Sequence, residues 1–273
     1  MTPIERQTIL VTGATDGHGR ALAYELARLG ATVIVHGRDP ERVSSTAREI
    51  GRVAGKPPRT AIADFSSLAA VRRMADELIA REHRLDALVN NAGIGTREPG
   101  GSSRRILSQD GFELRFAVNY LASFLLTRRL LPLLRASAPA RIVNVSSAGQ
   151  QAIDFDDVML EHGYNGIRAY CQSKLAQIVF TRDLAEELAG AGVTANALHP
   201  ATFMPTKIVP TPTSTLEEGV QATLQLVADP ALDGVSGRYF DGQVETRADA
   251  QAYDAAARRK LRELSQRLTG NPG

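Results

Sequence analysis

The stretch Thr8–Gly30, TILVTGATDGHGRALAYELARLG, decides the fold. It opens with a short β-branched apolar run, passes through Gly13, Gly17 and Gly19, and continues with Leu22, Leu26 and Leu29 on one helical stripe. Strand, glycine turn and amphipathic helix in that order make the first half of a βαβ unit. Glycine lets the chain turn tightly and bring its backbone close to a ligand. The following helix points its unbonded amides and positive dipole end back at the turn. That arrangement suits a pyrophosphate, so the segment reads as a dinucleotide loop.

Working outward, the runs ATVIVH, TAIAD, DALVNNAG, ARIVNVSS, VTANALHP and GRYF repeat the pattern of the first strand. They are brief and apolar on both faces, as in a parallel sheet covered by helices. Helical spacing fills the gaps at 40–53, 66–82, 108–135, 168–190 and 215–228, and a last amphipathic helix is predicted over 247–268. The order is βα throughout, with no Gly-, Pro- or Ser-rich linker. The expectation is a single α/β domain over 1–273, a doubly wound, Rossmann-type parallel sheet with helices on both faces. Three long segments, 95–108, 149–168 and 200–215, follow predicted strand carboxyl ends, the edge where open α/β sheets bind ligands. They are the expected substrate loops, with Ile153, Phe155, Phe203 and Met204 as apolar walls. Arg97, Arg104 and Arg105 would meet an acidic group if they are not simply solvated.

The 273 residues are 43% hydrophobic and 23% charged, with net charge +2. No basic field argues for nucleic acid or an anionic membrane. The single cysteine, Cys171, allows no internal disulfide, and no metal-ligand spacing is present. No run reaches the length of a membrane span, and the N-terminus has no signal-peptide pattern. A cytoplasmic location is expected.

The end of the second predicted strand, VHGRDPER, bears on which nicotinamide cofactor is used. An acid there would bind a ribose 2′-hydroxyl; an arginine would accept a 2′-phosphate. Asp39 followed by Pro40 has the signature of a helix N-cap, which leaves Arg38 for the cofactor. NADP(H) is therefore expected in preference, with NAD(H) as the alternative. His36 could assist Arg38 or serve only the strand end. His199, at a strand end before Pro200, is expected to pack structurally, with a place near the cofactor as the alternative, and His162 is expected to be solvated.

Tyr170 and Lys174 stand one helical turn apart in RAYCQSKLAQ, and Lys174 is one of only four lysines beside 28 arginines. Residues i and i+4 share a helix face. A cation about 4 Å from a phenol, at an effective dielectric near 20, is worth roughly 4 kcal/mol, or about three pH units. Lys174 is thus expected to bring Tyr170 towards neutrality as a proton carrier for hydride chemistry at a carbonyl or alcohol. Cys171 is expected to project about 100° away around the helix.

With these motifs in order, the chain resembles the short-chain dehydrogenase/reductase family over nearly its whole length. TGATDGHG matches the family's nucleotide loop, DFSSL the aspartate motif, LVNNAG the NNAG motif, FAVNYLASF the asparagine helix, IVNVSS the serine strand and AYCQSK the YxxxK helix. AYCQSKLAQIVFTRDLAEEL is especially similar to the retinol-dehydrogenase-like branch. The resemblance implies dinucleotide contacts from Thr12, Gly13, Asp16, Gly17, His18 and Gly19. It further implies Asp64 and Phe65 at the adenine, and Asn91, Ala92 and Gly93 beside the adenosine ribose. Ser147 would act with Tyr170 and Lys174, and Asn119 would hold a water near the lysine. Pro200 would lie near the nicotinamide; Thr202 or Thr206 would replace the family's threonine, whose place Pro205 takes. The resemblance also implies pairing of copies through the asparagine and tyrosine helices, as a homodimer or homotetramer. The implied activity is NADP-dependent hydride transfer between nicotinamide and an apolar ketone, aldehyde or secondary alcohol. The alternative is a non-catalytic dinucleotide-sensing protein on the same fold.

Overall fold

The computed structural model describes residues 2–96, 101, 103–205 and 211–271. One eight-stranded sheet runs in the order β3-β2-β1-β4-β5-β6-β7-β8. Its strands are β1 (Thr8–Val11), β2 (Thr32–Gly37), β3 (Arg59–Ile62), β4 (Ala87–Asn90), β5 (Ala140–Val145), β6 (Val193–His199), β7 (Tyr239–Asp241) and β8 (Val244–Thr246). All neighbours pair in parallel except β7 with β8. The sequence did not announce β8: three exposed residues on a sheet edge leave no burial pattern to read.

Helices cover both faces. They are α1 (Gly17–Arg28), α2 (Pro40–Ala54), α3 (Leu68–Arg81), α4 (Ala122–Ala136), α5 (Gly166–Glu187), α6 (Leu216–Ala228) and α7 (Ala255–Thr269). Two apolar clusters, one on each side of the sheet, form the core. Capping fixes several starts. Asp39 accepts from the amides of Glu41 and Arg42 at the head of α2, with Pro40 in the first turn. Thr215 and Glu218 form a capping box on α6.

The expected helix over 108–135 starts later. Ser108 Oγ accepts from the amides of Asp110 and Phe112, and Gly111 adopts φ +83°, so 108–112 is a turn rather than a helix. The chain then enters α4 through a π-helical stretch, Phe116–Leu121, a widened turn often found at functional sites.

The middle of α5 is buried all round, from Gln172 to Thr181, and α4 is nearly so. α3 packs on α4, and α7 lies against α5 and the π-helical entry to α4. Leu261 is buried, Ser265 Oγ meets Tyr120 Oη at 2.6 Å, and Arg262 forks onto Asp183 at 2.5 and 2.8 Å. The face through which the resemblance implied pairing is therefore covered by the chain's own C-terminal helix.

Candidate active site

The carboxyl ends of the strands surround one cleft of about 1240 Å³. Its floor is the loop between β1 and α1. Gly13 has φ +65°, and a Cβ on Gly19 would fall 2.3 Å from Asn91 Nδ2 and 2.4 Å from the Gly13 carbonyl. Only glycine fits there, and the chain comes as close to β4 as a nucleotide cradle requires. Asp16 caps α1 by accepting from the Gly17 amide, while its other oxygen meets Arg42 Nη2 at 3.0 Å.

Two buried histidines lock this floor. His36 Nδ1 accepts from the Gly13 amide at 3.1 Å, Nε2 meets the Ala63 carbonyl at 3.1 Å, and the ring stacks on Phe65 at 4.4 Å. Burial holds its pKa down to about 4, so it stays neutral and keeps Nδ1 as the acceptor. His18 Nδ1 meets Asn91 Oδ1 at 2.9 Å, and Nε2 meets the Gly219 carbonyl and Thr223 Oγ1, both at 3.0 Å. Burial lowers its pKa as well. His18 thus ties the glycine loop to β4 and α6. A lone histidine in a glycine loop carries no sequence signal for that role.

Of the residues expected at the cofactor, Gly13, Asp16, Gly17, His18, Gly19, Arg38, Asp64, Phe65, Asn91, Ala92, Gly93, Pro200 and Thr202 line the cleft. Thr12 does not: it is fully buried behind the wall, accepting from the Asn91 and Ala92 amides at 2.9 and 3.0 Å. Its role is to set the height of the loop after β4. Asn119 is likewise buried. Its Oδ1 accepts from Ile94 N at 2.8 Å, and its Nδ2 donates to Ser173 Oγ at 2.9 Å, so it pins that loop to α5. Thr206 and Arg97 lie outside the described residues. His199, for which a place near the cofactor was the alternative to packing, lines the cleft, with Nε2 3.1 Å from Thr202 Oγ1.

Ser147 and Tyr170 line the cleft together, and the serine hydroxyl is near enough to the phenol to lower its pKa. The 149–168 segment does not keep them apart, because it folds back on the body. Gln251 Oε1 accepts from Ile153 N at 2.6 Å, and Gln172 Nε2 donates to the Val158 carbonyl at 2.8 Å. This packing turns Ile153 into the core and lays Phe155 under Lys260 Nζ, 5.7 Å from the ring centroid. Neither lines the cleft, contrary to expectation; Phe203 and Met204 do. Arg104 and Arg105 do not line it either, and Arg105 Nε donates to the Met159 carbonyl at 2.8 Å. Cys171 lines the cleft beside Tyr170, since the opening of α5 meets the cleft broadly enough to show both.

The expected electrostatics of the tyrosine–lysine pair are corrected. Lys174 Nζ lies 5.8 Å from the Tyr170 ring centroid and donates to the Val145 carbonyl at 2.9 Å and to Gln177 Oε1 at 3.0 Å. Burial pushes the Tyr170 phenol up, against a smaller lowering from the nearby Ser147 hydroxyl. The group brought near neutrality is Lys174, which burial lowers to about 7. Spacing could place the ammonium on the right helix face; it could not show the competing acceptors or the desolvation.

The glycine cradle, the neutral histidine floor and the long cleft fit a dinucleotide. Among the described residues, no group of three or more His, Cys, Asp or Glu side chains is placed to hold a metal ion. Again among the described residues, no helix is long and apolar enough to cross a membrane.

Comparison with known proteins agrees with this geometry. Residues 7–216 match the short chain dehydrogenase family. Human retinol dehydrogenase 14 is 39% identical over 296 residues, covering 97% of this chain and 86% of that protein. A crystal structure of an uncharacterised protein from Mycobacterium paratuberculosis superposes with a TM-score of 0.78 at 30% identity, covering 97% of this chain and 94% of the other. A short chain dehydrogenase from Escherichia coli CFT073, complexed with NADPH, gives a TM-score of 0.71 at 29% identity, covering 87% and 97%. A non-catalytic sensor is not favoured, because the groups that carbonyl chemistry needs converge in one cleft. The chain belongs to the short-chain dehydrogenase/reductase family, in its retinol-dehydrogenase-like branch, and is an NAD(P)-dependent oxidoreductase of alcohols and carbonyls.

Proposed function

We propose an NADP(H)-preferring enzyme that reduces apolar aldehydes or ketones, and oxidises the matching alcohols in reverse. The observation that carries it is the convergence of Ser147, Tyr170 and Lys174 on one cleft continuous with the glycine cradle. The glycine loop and the amides opening α1 would hold the pyrophosphate. Asp64 and Phe65 would hold the adenine, and Asn91, Ala92 and Gly93 the adenosine ribose. Lys174 would hold the nicotinamide ribose, with Pro200 and Thr202 near the carboxamide. When bound, the dinucleotide supplies or accepts the hydride. Ser147 and Tyr170 grip the substrate oxygen, and Tyr170 delivers its hydroxyl proton as negative charge develops there. Burial keeps that phenol protonated, which suits a proton donor and therefore the reductive direction.

The NADP preference rests on Arg38, which lines the cleft at the end of β2, while Asp39 is engaged in capping and Asp16 is paired with Arg42. The NADPH complex of the Escherichia coli neighbour supports it. The cleft is also lined by Ile94, Leu107, Leu114, Val118, Phe203 and Met204, an apolar complement that supports an apolar substrate. The likeness to a retinol dehydrogenase extends that class to large, extended apolar alcohols and aldehydes. Because α7 covers α5 and the π-helical entry to α4, self-association would have to use another surface. A reducing, cytoplasmic setting agrees with the free Cys171 thiol.

The test is the loss of nicotinamide absorbance with a panel of aldehydes and ketones, NADPH and NADH side by side. Turnover of long apolar carbonyls with NADPH is expected. Turnover confined to small polar substrates, or faster with NADH, would overturn the reading.

A further inference from the structure

A buried ion pair at the cleft rim serves neither the nucleotide cradle nor the serine–tyrosine–lysine group. Arg115, just before the π-helical stretch, has no exposed surface. Its Nε donates to the Gly95 carbonyl at 2.8 Å, and Nη2 donates to the Thr96 and Gly101 carbonyls at 2.8 and 3.4 Å. Nη1 donates to Tyr164 Oη at 2.6 Å. Tyr164 in turn donates to Glu113 Oε1 at 3.0 Å, and Glu113 Oε2 accepts from the Phe116 amide at 2.7 Å. The guanidinium and carboxylate themselves stand 3.8 Å apart.

Burying a charged pair is costly unless its hydrogen-bonding groups are matched, and removing one partner then leaves the other stranded. Here the matched partners belong to two separate segments. Gly95, Thr96 and Gly101 follow β4, where Ile94 and Thr96 line the cleft; Tyr164 belongs to the segment before α5. Burial, with Glu113 adding to it, raises the Tyr164 phenol to about 12, so it keeps its donor proton at neutral pH.

We infer that Arg115, Glu113 and Tyr164 form a latch that ties Gly95 and Thr96, which belong to the cleft wall after β4, to the segment before α5 packed behind that wall. Tyr164 is then a positioning residue for substrate, remote from the proton-transfer groups. This rests on reading the cleft as the site of an apolar substrate.

The experiment compares the full-length wild type with Tyr164→Phe, which removes one oxygen and little else. Hydrogen–deuterium exchange is followed at Gly95 and Thr96, alongside KM and kcat for an apolar aldehyde and the NADPH dissociation constant. Loss of a hydrogen bond to a charged group predicts exchange there faster by about tenfold. KM should rise severalfold, with kcat and NADPH affinity held. Arg115→Lys, which keeps the charge but lacks the fork, should reproduce the faster exchange. Tyr24→Phe, on exposed α1, should change nothing. Unchanged exchange, an unmoved KM, or KM, kcat and NADPH affinity all worsening together would overturn the latch. If the wild type reduced no carbonyl, the functional reading would fail, while the exchange result would still decide the latch.

Discussion

Replacing Lys174 with Met should make the protein more stable while removing its activity. A buried lysine held at about 7 rather than 10.5 costs the folded state about 5 kcal/mol, at roughly 1.4 kcal/mol per pH unit. Met fills similar space without charge. It also leaves the Val145 carbonyl and Gln177 Oε1 without the ammonium, each loss costing about 1–2 kcal/mol. The net gain is about 2 kcal/mol near neutral pH, or a rise in Tm of about 4–8 °C for a chain of this size. The sign has a pH signature. Between about pH 7 and 10.5 the unfolded chain binds more protons at this position than the folded one, so the wild type gains stability as pH rises through that window. The advantage of Lys174→Met should therefore be full below about pH 7 and shrink towards 10.5. Thermal melts of both proteins across that range measure it. A variant no more stable than wild type at neutral pH, or a difference that does not narrow with pH, would refute the desolvation argument.

Arg38→Ala should weaken NADPH binding by about 10- to 100-fold, as for loss of a charge-assisted contact, and leave NADH binding nearly unchanged; fluorescence titration with both dinucleotides checks it. Light scattering on the eluting peak should give a monomer at micromolar concentration, because α7 already covers α5 and the π-helical entry to α4. A dimer abolished by changes on α4 or α5 would show instead that the helix moves aside.

The sheet was legible because buried parallel strands are apolar on both faces, and the glycine loop because its chemistry is local. Capping was legible for the same reason: Asp39 and Pro40 act on neighbours. What escaped depends on contacts across long sequence distances. Arg115 reaches Tyr164, 49 residues away, and nothing near either residue signals the pairing. Ile153 and Phe155 looked like pocket walls because apolar loop residues normally need a reason; the reason is α5, α7 and the Gln251 lock. Tyr170 and Lys174 were placed on one helix face by spacing, yet which of them is driven towards neutrality was settled by burial. The π-helical entry to α4 keeps an ordinary helical pattern and so could not be distinguished from it.

The central claim is that Tyr170 carries the proton to the substrate oxygen beside the nicotinamide. Tyr170→Phe removes that proton alone, and its steady-state reduction rate and NADPH dissociation constant should be measured against wild type. A rate lower by about a hundredfold or more, with NADPH binding unchanged, is the predicted result. A phenylalanine variant that still reduces the carbonyl at a near-normal rate would contradict the account.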